Sequence, residues 1–249
     1  MLYLISLGLA DEKDMSLRAL ETAKACDFLY LELYTTRMFT DAEKLSALIG
    51  KPVKEIERSD MEENSLKLLE QAKTQNVGIL VGGDALTATT HTSLLLDASK
   101  QGIKTKVIHG SSIFTAVAST GLQLYKFGKT VTLALPEEKY KPTSTYEGIR
   151  GNKSGGLHTL ILLDVKSESG KYMSVPEAAQ ILLRDEVFSD DTKLIACCQL
   201  GSDSETIRYA SIKQLINDNS LQNKTPAVLV VPGELHFMEE EFLNLISKE

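Results

Sequence analysis

Short apolar runs alternate with amphipathic stretches along the chain, and that alternation predicts strands and helices in turn. Residues 2–9 read as a first strand. A helix follows over 14–25, with Leu17, Leu20 and Ala23 on one face and Asp14 as its N-cap. Phe28-Leu29-Tyr30-Leu31 is a second strand. Helices at about 41–49 and 61–75 come next. Gly50-Lys51-Pro52 stops the first, and Ser59-Asp60-Met61-Glu62-Glu63 opens the second with cap residues and acids. Val77-Gly78-Ile79-Leu80-Val81 is apolar throughout, the pattern of a strand covered on both faces. A helix over 88–100 and a strand at 106–109 complete a β-α repetition, which predicts a parallel-rich sheet.

The second half has a different rhythm. Strands at about 130–134, 157–164, 193–200, 205–210 and 227–232 are separated by helices at about 174–184, 211–217 and 237–245. Strands with few helices between them predict a mixed sheet. Segment 136–156, with Pro136, Pro142, Gly148, Gly151, Gly155 and Gly156, reads as a mobile loop. The expected fold class is α/β, with an N-terminal domain over 1–110 and a C-terminal domain over 111–249.

Composition fits this reading. The chain has 249 residues, 43% hydrophobic and 24% charged, enough to bury a core without disulfide or metal staples. Lys and Arg number 27 against 34 Asp and Glu, a net charge of −7, which argues against nucleic acid as a partner. The apolar N-terminus has no basic flank and meets Asp11 at once, and no run approaches the roughly 20 residues of a membrane span. A cytoplasmic protein with no membrane partner is expected. The three cysteines lack metal-ligand spacing, and Cys197-Cys198 reads as apolar filler in a strand.

The candidate chemistry lies at glycine-ended strands. Leu7-Gly8-Leu9 leaves the first strand and Gly82-Gly83-Asp84 leaves the third. In an open α/β sheet, ligands bind beyond the carboxyl ends of strands, where glycine lets backbone approach the ligand. Thr87, Thr89, Thr90, His91 and Thr92 follow Asp84, more hydrogen-bonding capacity than a helix cap requires. Neither turn fits G-x-G-x-x-G, and the phosphate-loop, zincin and hydrolase-elbow motifs are missing, so dinucleotides, P-loop nucleotides and those hydrolytic mechanisms are disfavoured. His91, His109, His158 and His236 have no obvious partner in sequence, so no general base is named.

The run Gly82-Gly83-Asp84-Ala85-Leu86-Thr87 resembles the glycine–aspartate loop of the diphthine synthases, a group of the tetrapyrrole-methylase class. Met1 to Leu9, Glu32-Leu33-Tyr34-Thr35-Thr36 and Val107 to Ile113 are similar to further segments of that family. So are Gly121 to Gly128, Gly156 to Asp164, Tyr172 to Ala179 and Pro232 to Glu239. Two departures stand out: Gln199 occupies a position where relatives more often carry arginine, and Ala85 one where many carry proline.

The resemblance implies a homodimer of two α/β domains of the class III methyltransferase type, with S-adenosyl-L-methionine folded between the domains and no metal. It implies methyl transfer to the amino group of a modified histidine, the diphthamide precursor, on translation elongation factor 2. Carried over by position, cofactor contacts fall at Leu9, Asp84, Thr87, Ser112, Ile113, Leu163, Ser211 and His236. Lys139, Lys141, Arg150 and Lys153 give segment 136–156 a basic character suited to docking the factor. A corrin-pathway tetrapyrrole methyltransferase and a non-catalytic module for a nucleotide-like ligand remain as alternatives.

Overall fold

A computed structural model describes residues 1–62, 64–135, 143–166 and 170–247. The chain divides into two compact units, Met1–Phe114 and Thr115–Glu249.

The first unit is built on strands β1 (Leu2–Ser6), β2 (Phe28–Glu32), β3 (Val53–Glu55), β4 (Val77–Val81) and β5 (Thr105–Ile108). They form one sheet in the order β3-β2-β4-β1-β5, and every neighbouring pair is parallel. Helices α1 (Leu17–Ala25), α2 (Ala42–Ile49), α3 (Arg58–Glu62), α4 (Leu66–Thr74) and α5 (Thr92–Lys100) connect them. The period-two alternation of strand side chains feeds two cores. Leu4, Ile79 and Val81 pack with Leu69, Leu94 and Ala98, while Ile5, Leu31 and Leu80 pack with Ala19, Ala23, Leu45 and Ile49. With both faces covered, all five residues of β4 are buried, as its unbroken apolar run predicts.

Local chemistry moves several predicted boundaries. The helix expected from residue 14 begins at Leu17, capped by Ser16, whose hydroxyl accepts from Ala19 N at 3.1 Å. Asp14 is not its cap. It ends a short 3-10 turn (Glu12–Asp14), and its carboxylate accepts from Leu9 N at 3.2 Å and Ala10 N at 2.6 Å. The helix expected over 61–75 is two pieces, α3 and α4. The one expected from 88 starts at Thr92, because Ala88 takes a left-handed φ of 55° that no helix continues through.

In the second unit, β6 (Val131–Leu133), β7 (Thr159–Leu163), β10 (Lys193–Cys198), β11 (Thr206–Ser211) and β12 (Ala227–Val231) form a sheet in the order β11-β10-β12-β7-β6. Only β6 and β7 run parallel; the other pairs are antiparallel, so this sheet is mixed. A separate hairpin pairs β8 (Val165–Lys166) with β9 (Lys171–Tyr172). The helices are α6 (Ile113–Ala116), which begins just before the division, then α7 (Thr143–Ser154), α8 (Val175–Leu182), α9 (Ile212–Asn217) and α10 (Phe237–Ile246). Ala178, Leu182, Ile212 and Leu215 pack with Leu133, Ile161, Ala196 and Leu229 in its core.

Segment 136–156 is largely helical where it is described. Residues 136–142 lie outside the described residues, and Thr143–Ser154 is the helix α7. Its buried residues Thr145, Tyr146, Ile149 and Asn152 recur at helical spacing. Gly148, read as a breaker, sits where a Cβ would run into the Val131 side chain, so the glycine allows α7 to approach β6 closely. Among the described residues no helix is long and apolar enough to cross a membrane.

Candidate functional site

The sheet order sets β4, β1 and β5 side by side, so the turns leaving their carboxyl ends are neighbours. Gly8 and Gly83 both adopt left-handed backbone, with φ of 91° and 69°. They exchange two backbone hydrogen bonds: Gly8 N donates to Gly83 O at 3.2 Å, and Gly83 N to Gly8 O at 2.7 Å. The two glycine turns singled out in the sequence thus lock onto each other. A Cβ at Gly83 would meet nothing within 4 Å, so this turn fronts open space, while one at Gly110 would press on Ser6.

Asp84 stands at the centre of these turns and is 9% exposed. Its Oδ1 accepts from Leu86 N at 3.0 Å and lies 3.4 Å from the Thr87 hydroxyl. Its Oδ2 accepts from Gly110 N at 3.1 Å and pairs with His109 Nδ1 at 2.8 Å. Burial alone would push the carboxyl up. The bonds from Leu86, His109 and Gly110 outweigh it and hold Asp84 below the usual carboxylate range. Asp84 therefore fastens the β4 turn to the β5 turn as an ionised acceptor. His109 is the partner the sequence did not reveal, since 25 positions separate the two.

Leu9 continues the Gly8 turn, with its N–H taken by Asp14. Thr87 N donates to Asp84 O at 3.0 Å, closing the Asp84 turn. Thr89 Oγ1 is buried with no hydrogen-bond partner among the described residues, an acceptor or donor that a ligand would satisfy. Ser112 follows the β5 turn, and its buried hydroxyl accepts from Phe114 N at 3.2 Å. Ile113 opens α6 directly after it. Leu9, Asp84, Thr87, Ser112 and Ile113 therefore all belong to the carboxyl-end turns of one parallel sheet. These turns present backbone groups and polar side chains at the open end of the sheet.

The second unit holds the other three residues. Leu163 ends β7 and is 8% exposed. Ser211 ends β11 and caps α9, with its hydroxyl accepting from Gln214 N at 3.2 Å. His236 is exposed and caps α10: its N donates to Glu239 Oε2 at 2.8 Å, and its Nδ1 lies 3.4 Å from Met238 N. Strand register does not bring Leu163 and Ser211 together. Leu162 pairs with Val228, Ala227 with Cys198 and Cys198 with Thr206, whereas Ser211 pairs with Lys193 at the far end. Three strands across and five residues along amount to about 20 Å. Gln199 takes a left-handed φ of 54°, and its side-chain amide donates to Thr225 O at 3.0 Å, a local brace. Among the described residues no group of three or more His, Cys, Asp and Glu side chains is placed to hold a metal ion.

Comparison with known proteins bears out the sequence resemblance. The family model of the Tetrapyrrole (Corrin/Porphyrin) Methylases matches residues 1–216. The diphthine synthase of Methanocaldococcus jannaschii is 39% identical over 257 residues, covering 100% of this chain and 99% of the relative. The diphthine methyl ester synthase of Schizosaccharomyces pombe is 39% identical over 265 residues, covering 98% and 93%. A crystal structure of a diphthine synthase superposes with a TM-score of 0.91 at 36% identity, covering 99% of this chain and 96% of that one. Parallel first sheet, mixed second sheet and full-length similarity agree: the chain belongs to the tetrapyrrole methylases and, within them, to the diphthine synthases.

Proposed function

We propose that the chain transfers methyl groups from S-adenosyl-L-methionine to the amino group of the diphthamide-precursor histidine on translation elongation factor 2, leaving S-adenosyl-L-homocysteine. We place Leu9, Asp84, Thr87, Ser112, Ile113, Leu163, Ser211 and His236 at the cofactor. Ser211 would contribute backbone only, since its hydroxyl caps α9. The working form is a cytoplasmic homodimer. The observation that carries this reading is the convergence of the Gly8, Gly83 and Gly110 turns on Asp84, in a chain of this family.

Bound S-adenosyl-L-methionine would supply a methyl group on a cationic sulfur, already activated for in-line displacement. The chain's own task is then orientation, and oriented reactants gain on the order of 7–11 kcal/mol over free encounter. The interlocked glycine turns remove backbone freedom from the site before any ligand arrives. Asp84, ionised and held by donors from both flanking turns, fixes the walls against which a ligand would rest. The accepting amine must reach the site unprotonated.

Incubation with labelled S-adenosyl-L-methionine and precursor-bearing elongation factor tests the reading. Label on the factor's modified histidine, stable to mild alkali, is the expected result. Alkali-labile label would mark an ester, the product named for the Schizosaccharomyces pombe relative. Label in a precorrin and none in the factor would replace this reading with the corrin-pathway one. Cofactor binding without transfer to either would leave the binding module.

A further inference from the structure

A second carboxylate of the first unit meets a histidine, and this pair is enclosed. Glu32 ends β2, aligned with Val81 at the end of β4, and is 0% exposed. His91 precedes α5 and is 2% exposed. Glu32 Oε2 and His91 Nε2 lie 3.5 Å apart, and Nε2 is buried with no hydrogen-bond partner among the described residues. The other ring nitrogen fixes the hydrogen count. His91 Nδ1 is 3.1 Å from the carbonyl oxygen of Ala85, which can only accept, so Nδ1 carries a hydrogen.

His91 Nε2 then turns either a lone pair or a second hydrogen toward Glu32. A lone pair facing an ionised carboxylate would set two buried acceptors against each other with neither solvated. One further proton therefore belongs to the pair. Among the described residues, the donors to Glu32 leave that count unchanged. Glu32 accepts from Thr35 N at 2.8 Å and from the Thr35 hydroxyl at 3.0 and 2.9 Å, all neutral donors. The Arg58 guanidinium lies over the Tyr34 ring, 5.1 Å from its centre. Asp84 and His109 are occupied with each other. Burial pushes the Glu32 carboxyl up, against the pull of His91 and the Thr35 donors.

We propose that Glu32 and His91 hold one further proton between them, and that the pair positions the loop carrying Asp84. The mechanical link is short. His91 holds the Ala85 carbonyl, Ala85 N donates to Ser6 Oγ at 2.9 Å, and Asp84 is the preceding residue. A bare, doubly accepting pair would repel, release Ala85 and let the turn drift from Gly110.

The effect on binding rests on the cofactor reading of Asp84, but the proton count does not. Nitrogen-15 NMR of the wild-type imidazoles, without cofactor, reads it directly. His91 Nδ1 should carry a hydrogen, and Nε2 should show the shift of a nitrogen that bears or accepts one. A bare Nδ1, or an Nε2 with no hydrogen on it or bonded to it, overturns the proposal. Calorimetry with S-adenosyl-L-methionine reads the positioning role. Glu32→Leu should bind about tenfold or more weakly. Glu32→Gln keeps an N–H for His91 Nε2 and an oxygen for Thr35, and should rescue most of that loss without pH dependence. A Gln variant as weak as the Leu variant, or a Leu variant that binds normally, overturns the positioning role. Normal binding by Asp84→Asn would show instead that the cofactor reading has failed.

Discussion

Each carboxylate oxygen of Asp84 receives a backbone N–H, from Leu86 on one and Gly110 on the other. Asparagine offers one acceptor oxygen and one amide donor, so in Asp84→Asn one of those N–H groups must face a donor. An unsatisfied buried group costs roughly 1–3 kcal/mol, and a hydrogen bond to a charged group is worth about 1.5–3 kcal/mol. Asp84→Asn is therefore expected to bind S-adenosyl-L-methionine about tenfold or more weakly by calorimetry. Unchanged affinity in a normally folded variant would remove Asp84 from the site. At this scale the sequence showed the glycines and Asp84, because turn residues are punctuation that local chemistry explains. It did not show histidine partners. His91 meets Glu32, His109 meets Asp84 and His158 meets Glu239, across separations that only the folded sheet closes.

Secondary-structure elements were legible where apolar runs were long. The all-apolar β4 and the strands of the second sheet lie close to where hydrophobic patterning puts them. The short edge strand β3 has the pattern Val53-Lys54-Glu55, with two exposed charges, and carries no such signal. Helix α7 was masked by its glycines, of which Gly148 serves packing against β6. The family-like segments Gly121–Gly128, Gly156–Asp164 and Pro232–Glu239 meet at one side chain. Glu239, in the first turn of α10, accepts from Gln123 N at 2.9 Å, Lys126 Nζ at 2.6 Å, His158 Nε2 at 3.1 Å and His236 N at 2.8 Å. His158 Nδ1 accepts from Gly233 N at 2.8 Å, so Nε2 is the protonated nitrogen, and burial holds this imidazole's pKa down.

Burial opposes ionisation of Glu239, yet these donors, Lys126 foremost, draw its pKa from 4.5 to about 2. The folded value lies below the unfolded one. The stabilisation is therefore complete above the ordinary carboxylate range and is lost as pH falls toward 2. At about 1.4 kcal/mol for each tenfold change it amounts to about 3 kcal/mol. Glu239→Gln should lower the urea midpoint at neutral pH and flatten the acid limb of stability against pH. An acid limb as steep as that of the wild type would show that this carboxylate is not the group responsible.

For the whole molecule, fold class followed from the shift in rhythm between the halves, from β-α repetition to strands in succession. Charge adds a point of a different kind. The chain carries −7, yet Lys139, Lys141, Arg150 and Lys153 cluster within a few turns of sequence. One of them already has a partner within the second unit. Arg150 grips both oxygens of Asp185 at 2.5 and 2.7 Å, tying α7 to the segment after α8. Lys153 is exposed in the last turn of α7, and Lys139 and Lys141 lie outside the described residues. If these three lysines help draw in elongation factor, replacing them together by glutamine should slow association several-fold at low ionic strength. The difference should shrink as salt shortens the reach of charge to about 10 Å at 0.1 M. Affinity for S-adenosyl-L-methionine should not change, since the lysines belong to none of the turns around Asp84. Arg150→Gln should instead destabilise the second unit. Methylation of the intact factor at the wild-type rate in low salt would exclude the lysines from docking.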